Sequence, residues 1–168
     1  MKVRNYFYHP THEKLSDVLL ENIFKLNELN KPALGTLENL ETLKKLYNYS
    51  MLCACSFLNK KLVAFCLLMN QSSEYSSPNF KYFKRKYNNF LYIDRIAIDT
   101  NYQRKGIGSL IYERFYELSI ENNVPLCCEV NTFPLNKKSL DFHYKKGFKK
   151  IEEIDFGKKK VAMLVKYA

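Results

Sequence analysis

Two short stretches of the chain place glycines and polar side chains at spacings that suit chemistry on an anionic ligand. The first is Gln103-Arg104-Lys105-Gly106-Ile107-Gly108, followed by Ser109. Two glycines two apart let the backbone pass close to a ligand with no Cβ in the way. If a helix opens there, its first unpaired N–H groups point at whatever lies in front of them, which favours an anion such as a phosphate. Two common phosphate loops do not fit. The chain has no Gly, four residues, Gly-Lys and Ser or Thr, and where the dinucleotide fingerprint needs its third glycine it has Ile111. The second stretch holds Asn136, Ser139 and His143, three and four apart and so on one face of a helix, with Tyr144 next in line.

The elements that must position these residues are legible from periodicity. Leu91 to Ile98 carries alternating β-favouring side chains and reads as a strand. Ile107, Leu110, Ile111, Phe115 and Leu118 then recur at helical spacing as far as Asn122-Asn123, with Pro125 as a stop. Leu126 to Asn131 looks like an interior strand, and Asn136 starts a helix that ends at Gly147. Upstream, Lys2 to Tyr8 reads as a strand closed by His9-Pro10, and Leu15 to about Asn30 as a first helix. Thr36 is placed to cap a second helix through Leu37, Leu40, Leu43 and Leu46, with Glu38 and Glu41 early and Lys44 and Lys45 late. Met51 to Phe57 and Leu62 to Met69 make a hairpin in mid-sheet. Gln71 to Asn89, rich in serine and aromatics, reads as a long loop whose rings line an acceptor pocket or anchor the loop to the core. Lys149 to Asp155 and Val161 to Tyr167 form a closing hairpin, and a dimer through it is one possible assembly. No repeat or linker interrupts residues 1–168, so a single domain is expected.

Composition narrows the function class. At 46% hydrophobic and 15% aromatic the chain has material for a core. No run of about 18 apolar residues suggests a membrane span, and Met1 to Tyr6 lacks the apolar centre of a signal peptide, so the expected location is cytoplasmic. The net charge of +10 comes from 22 lysines against 5 arginines, spread along the chain beside 16 asparagines. Bidentate contact to nucleic-acid phosphates would call for clustered arginine, so the charge reads as a solvated surface that favours polyanionic small ligands. Five cysteines in apolar runs read as buried thiols, and no metal is assigned.

The loop, placed between a strand and a helix, resembles the acyl-CoA loop of the GNAT superfamily of N-acyltransferases, whose pattern is Gln or Arg, two residues, Gly, one residue, Gly or Ala. Asn136-x-x-Ser139-x-x-Phe142-His143-Tyr144-Lys145-Lys146-Gly147-Phe148 is similar to the late helix of the same superfamily. The element order follows a whole GNAT domain. Within it the chain looks closest to a poorly characterised bacterial-type branch with Tyr-Ile-Asp-Arg before the loop, the Phe-His pair and a Gly-Lys-Lys-Lys turn. The resemblance implies an α/β (α+β) fold: a central, mostly antiparallel twisted sheet of about six to seven strands flanked by about four helices. It also implies acetyl-CoA as acyl donor, no metal, and transfer to a primary amine of a small molecule, peptide or protein. A module that binds CoA without turning it over is the alternative.

Carried over residue by residue, the resemblance gives Ile96, Ala97 and Ile98 backbone contacts to the pantetheine arm. Gln103, Arg104, Lys105, Gly106, Ile107, Gly108 and Ser109 hold the diphosphate, and Asn131, Asn136 and Ser139 lie along the cofactor. His143 takes the position from which relatives protonate the departing sulfur, or is a partly buried structural histidine. Tyr144 is its substitute or a packing residue. Asp94 is the named general base unless Arg95 or a lysine engages it, with Glu28 and Glu129 in reserve and a water chain as a further option.

Overall fold

Seven strands pair into one sheet of order β1-β2-β3-β4-β5-β7-β6, with the apolar runs at its centre and the polar β6 at one edge. The computed structural model describes residues 2–168. Its strands are β1 (Arg4–Tyr8), β2 (Leu52–Leu58), β3 (Lys61–Asn70), β4 (Leu91–Ile98), β5 (Leu126–Phe133), β6 (Lys149–Asp155) and β7 (Lys160–Lys166). The helices are α1 (Asp17–Leu29), α2 (Leu40–Tyr49), α3 (Pro78–Lys86), α4 (Ile107–Glu121) and α5 (Lys137–Lys145). All strand pairs are antiparallel except β4 with β5. That pair is parallel because α4 crosses over between the two strands, which a short hairpin turn cannot do.

The central strands are mostly apolar because the sheet is covered on both faces. Leu20, Ile23 and Leu26 of α1, Leu43 and Leu46 of α2, and Phe80 and Phe83 of α3 pack one face. Ile107, Ile111 and Phe115 of α4 and Leu140 of α5 pack the other. β3 lies between these layers with every residue from Val63 to Met69 buried. All five cysteines are free and buried on β2, β3 and β5. Cys53 and Cys55 lie on one face with sulfurs 3.8 Å apart, as two positions two apart on a strand must.

Two expectations for the N-terminal half are corrected. The second helix is capped by Asn39, whose side chain accepts the Thr42 N–H at 2.9 Å, and not by Thr36. Leu37 is buried in the segment before it. Gln71 to Asn89 is not one long loop, since it contains α3, which brings the described helices to five. Pro78 starts α3, and Phe80 and Phe83, three apart, are both fully buried. Lys84, Arg85 and Lys86 occupy its last turn, where cations suit the helix dipole. Its core-facing rings therefore anchor the segment and do not line a pocket.

Candidate active site

The glycine loop is open and its amides are free. Thr100–Tyr102 forms a short 3-10 turn, after which Arg104 and Gly106 take left-handed backbone conformations at φ +60° and +82°. Gly106 is the N-cap of α4, and a left-handed cap is where glycine avoids a Cβ penalty. The first regular helical bond runs from Leu110 N–H to the Gly106 carbonyl at 3.1 Å. Among the described residues, no backbone N–H from Arg104 to Ser109 finds a protein acceptor. Arg104, Lys105 and Gly106 are exposed, and Lys105 Nζ lies 5.0 Å over the Tyr102 ring, so the approach is cationic. The Gln103 side chain points the other way and donates to the Ile98 carbonyl at 3.3 Å, tying the loop to the end of β4. A Cβ on Gly108 would stand 3.2 Å from Ile98 Cδ1 and 3.9 Å from Ile96 Cδ1, so this glycine lets α4 settle onto β4.

Beside the loop the sheet is split. β4 and β5 pair only at Leu91 with Leu126 and Tyr92 with Cys127, at one end. From Ile93 onward the edge of β4 facing β5 carries no strand partner, and Ile96, Ala97 and Ile98 lie along that edge. The opening begins at a β-bulge: Arg95 pairs with Leu67 and Ile93 with Leu68, leaving Asp94 as the extra residue. A bulge of this kind bends a strand and increases its twist. A second irregularity leaves Thr132 unpaired between Asn131 and Phe133 on β5. The result is a gap with unpaired backbone on one wall and free amides at its mouth, which suits an extended amide-bearing arm ending in a diphosphate.

His143 is buried and hydrogen-bonded at both ring nitrogens. His143 is 3% exposed and sits among Tyr112, Phe142 and Phe148 with ring centroids 5.3 Å from each. Nδ1 lies 2.7 Å from the Ser139 carbonyl, which can only accept, so Nδ1 carries the proton. Nε2 then accepts from the Tyr112 hydroxyl at 2.8 Å. Burial pushes the imidazole down to about 4, so it is neutral near pH 7 and has no free proton to give a leaving group. Both ring nitrogens are thus engaged within the fold, one by Ser139 and one by Tyr112. Tyr144 is 45% exposed on α5, and among the described residues no hydrogen bond joins it to the gap. Asn136 caps α5, its side chain accepting the Ser139 N–H at 3.2 Å, and its own N–H bonds the Asn131 carbonyl at 3.1 Å. The set Asn131, Asn136 and Ser139 thus closes the turn from β5 into α5.

The three carboxylates meet different fates. Asp94 accepts from Arg95 Nε at 2.7 Å, with side-chain exposures of 4% and 10%, so it is spent on a buried ion pair. Arg95 also donates through Nη1 to Asn27 Oδ1 at 3.0 Å, tying the bulge to α1. Glu28 is bonded to Lys31, which holds its carboxyl below the ordinary range, the wrong direction for a base. Glu129 stands apart. Glu129 is partly buried, and loss of hydration pushes its carboxylate up to about 7, against the pull of the Tyr92 hydroxyl, which donates to Oε2 at 2.7 Å. The Asp94 charge raises it further, whereas the Asn79 amide and Lys159 favour its charged form. A carboxylate titrating near neutrality is what proton removal from an ammonium requires. Tyr92 and Tyr112 are not signalled by the sequence, because an apolar strand position and a helix face give no hint of the polar atom at the end of a ring. Tyr75 is a further member: burial and the Asp94 carboxylate hold its hydroxyl well above the usual range. Among the described residues no cluster of His, Cys, Asp and Glu is arranged for a metal.

Comparison with known proteins agrees with this geometry. Residues 20–148 match the family described as Acetyltransferase (GNAT) family. No curated protein matches the chain. Among solved structures, the fold is shared with Ard1 from Thermoplasma volcanium at TM-score 0.71 and 16% identity, covering 99% of this chain and 97% of that one. It is also shared with the ribosomal-protein-S18-alanine N-acetyltransferase from Escherichia coli at TM-score 0.64 and 15% identity, over 96% and 92% of the two chains. A third match is in the NatC complex bound to Gag peptide and CoA, at TM-score 0.70 and 12% identity over 100% and 99%. The acyl donor of the family is acetyl-CoA, and the free amides of residues 104–109 and the split sheet fit its diphosphate and arm. With the glycine loop, the gap and the matching span of residues 20–148 together, the chain belongs to the GNAT family of acetyltransferases.

Proposed function

We propose that residues 1–168 act as one acetyl-CoA-dependent N-acetyltransferase domain, cytoplasmic, that transfers an acetyl group to a primary amine. The observation that supports it most is the pairing of open amides at the Gly106-capped helix with a gap between β4 and β5 whose wall carries Glu129. The diphosphate of acetyl-CoA sits on the N–H groups of 104–109, with Arg104 and Lys105 adding charge. The pantetheine arm pairs with the free edge at Ile96 to Ile98, and Asn131 lies opposite on β5. Glu129 takes a proton from the incoming ammonium, and the neutral nitrogen attacks the thioester carbonyl carbon. The C–N bond forms, the oxyanion is held by a β4 backbone N–H, and the C–S bond breaks. The adduct nitrogen still holds one proton more than the amide, and water relays it to the departing sulfur, so CoA leaves as the thiol, whose ordinary pKa is ~8.5. Glu129 gives the proton it took to bulk water before the next turnover. Holding amine and thioester together supplies several kcal/mol, order of magnitude.

The acceptor is a small molecule, peptide or protein amine. The alanine acceptor in the name of the Escherichia coli enzyme puts a peptide α-amine first in the panel to test. Calorimetry with acetyl-CoA and free-thiol release across an amine panel test the reading. Gly106→Glu removes binding by placing a carboxylate where the diphosphate belongs, in a backbone region strained for any side chain. A chain that binds acetyl-CoA yet releases no thiol with any amine is a sensor and not an enzyme. Binding of acetyl-CoA unchanged in Gly106→Glu refutes the site.

A further inference from the structure

The geometry points to a second anion site, separate from the glycine loop, in a pocket where Lys145, Lys146 and Lys166 converge between α4, the end of α5 and the end of β7. Its ligand is a compact dianion, a phosphate or phosphate monoester. The hollow holds about 270 Å³ and is also lined by Glu113, Tyr116 and Phe148, which leaves room for one phosphate group and its waters. Glu113 and Tyr116 lie seven and ten residues past the Gly106 cap of α4. That places them about 10–15 Å along the helix axis from the loop amides, at 1.5 Å per residue.

Two of the three lysines are held in place by the fold. The Lys166 stem runs over Gly147, where an added Cβ would stand 3.7 Å from Lys166 Cε. Its Nζ lies 3.4 Å from the centroid of the Tyr116 ring, close enough for the ring face to attract the ammonium. That ring is pinned in turn, because the Tyr116 hydroxyl donates to the Tyr167 carbonyl at 3.1 Å. Lys146, with its side chain 25% exposed, reaches from the end of α5 to Glu113 Oε1 on α4 at 3.0 Å. The pocket is therefore built before any ligand arrives, and little side-chain freedom is left to lose on binding.

The charges in the pocket do not balance. Three ammonium groups face one carboxylate, and among the described residues Lys145 and Lys166 have no salt-bridge partner. Elsewhere Lys61, Lys137 and Lys160 are exposed and each has its own carboxylate, on Asp99, Asp141 and Asp155. Lys166 is instead partly buried, and lost hydration together with the Lys146 charge holds its ammonium below the ordinary range, against the pull of Glu113. Like charges kept together in a partly dry hollow repel, and a bound anion turns that repulsion into attraction. With Glu113 engaged by Lys146, two charges remain for the ligand, which matches a phosphate dianion. No arginine lines the hollow, so nothing selects the flat fork of a carboxylate, whereas ammonium groups act as point charges that meet phosphate oxygens from several directions. The Tyr116 hydroxyl is committed to Tyr167 and does not compete.

The probe is inorganic phosphate, titrated by calorimetry into the full chain saturated with CoA so that the loop amides are filled, with chloride holding the ionic strength constant. Saturable binding is expected. Lys166→Met keeps an apolar stem against Gly147 and Tyr116 and removes one charge, so phosphate affinity falls roughly tenfold or more. CoA affinity in the same variant stays within roughly twofold of wild type, because the two sites share no residue. The absence of saturable heat, or equal phosphate affinity in Lys166→Met, overturns the proposal. So does a variant that loses affinity for CoA but not for dephospho-CoA, since the lysines then serve the 3′-phosphate of the cofactor. Should the variant not fold or CoA not fill the loop, NMR of the lysine ε-methylene groups in the wild-type chain decides. The Lys166 signal, displaced upfield by the Tyr116 ring, moves saturably as phosphate is added; a signal that stays in place sinks the site.

Discussion

Replacing Glu129 by glutamine separates the roles of charge and shape at the proposed base. In the folded chain Glu129 titrates near about 7 against an ordinary 4.5. A folded value above the unfolded one means that the native state binds the proton more tightly. Stability from this group is then fully present below the ordinary value and is lost as pH rises through the folded one. The shift corresponds to about 3 kcal/mol between pH 4 and pH 8, order of magnitude. Glutamine does not titrate, so the variant gains about that much on the wild type over the same interval. For a domain of this size each kcal/mol moves Tm by roughly 3 °C, so the gap in Tm should shift by roughly 10 °C in favour of the variant. His143 contributes with the opposite sign. Lowered from 6.5 to about 4, it costs stability as pH falls below the ordinary value. The two slopes nearly cancel in the wild type between pH 4.5 and 6.5, so the difference curve, and not the raw Tm, carries the signal. Thermal unfolding of both proteins in matched buffers from pH 4 to 8 measures it, and turnover of the variant should fall roughly 10²–10⁴-fold. A flat difference curve would refute the lost hydration of the carboxylate, and undiminished turnover would refute its role.

Other outcomes are expected elsewhere in the chain. His143→Ala leaves the Tyr112 hydroxyl without its acceptor and a hole among three rings, so urea unfolding should show a loss of about 2–4 kcal/mol. Its kcat on intact protein should stay within roughly tenfold of wild type; a collapse of turnover without loss of stability would return His143 to the chemistry. Arg95→Leu strands the Asp94 carboxylate and cuts the tie to Asn27 on α1. A loss of roughly 3–5 kcal/mol is expected, together with a raised KM for the amine. The five thiols are buried, and burial raises those of Cys66, Cys127 and Cys128, so a disulfide reagent should label none of them until the chain unfolds. Acetyl-CoA affinity should fall as salt screens Arg104 and Lys105; an affinity independent of salt would place the diphosphate away from the loop.

The glycine loop and its setting were readable because their information is local. A left-handed cap at Gly106 and a close helix approach at Gly108 are demands on single residues, and only glycine meets them without cost. The order of β4, α4, β5 and α5 follows from periodicity alone. The start of α2 was misplaced because Thr36 and Asn39 both precede apolar residues, and only the fold decides that Leu37 is buried outside the helix. α3 was hidden by a serine-rich approach, although Pro78 with Phe80 and Phe83 is a recognisable helix start.

For the reacting groups, sequence decided which residue types were present, and tertiary structure decided which of them were free. His143 lies at the matching position of the motif, yet Tyr112, 31 residues earlier, takes its Nε2. Asp94 is consumed by its neighbour Arg95 at the bulge, while Glu129 is left partly buried with a hydroxyl from the adjoining strand. The backbone's own requirements are written residue by residue, so the chain alone specifies the glycine-capped turn and the strand and helix around it. The protonation of a side chain depends on what other segments bring to within a few ångströms and on how much water they exclude, and neither quantity exists until the sheet has closed.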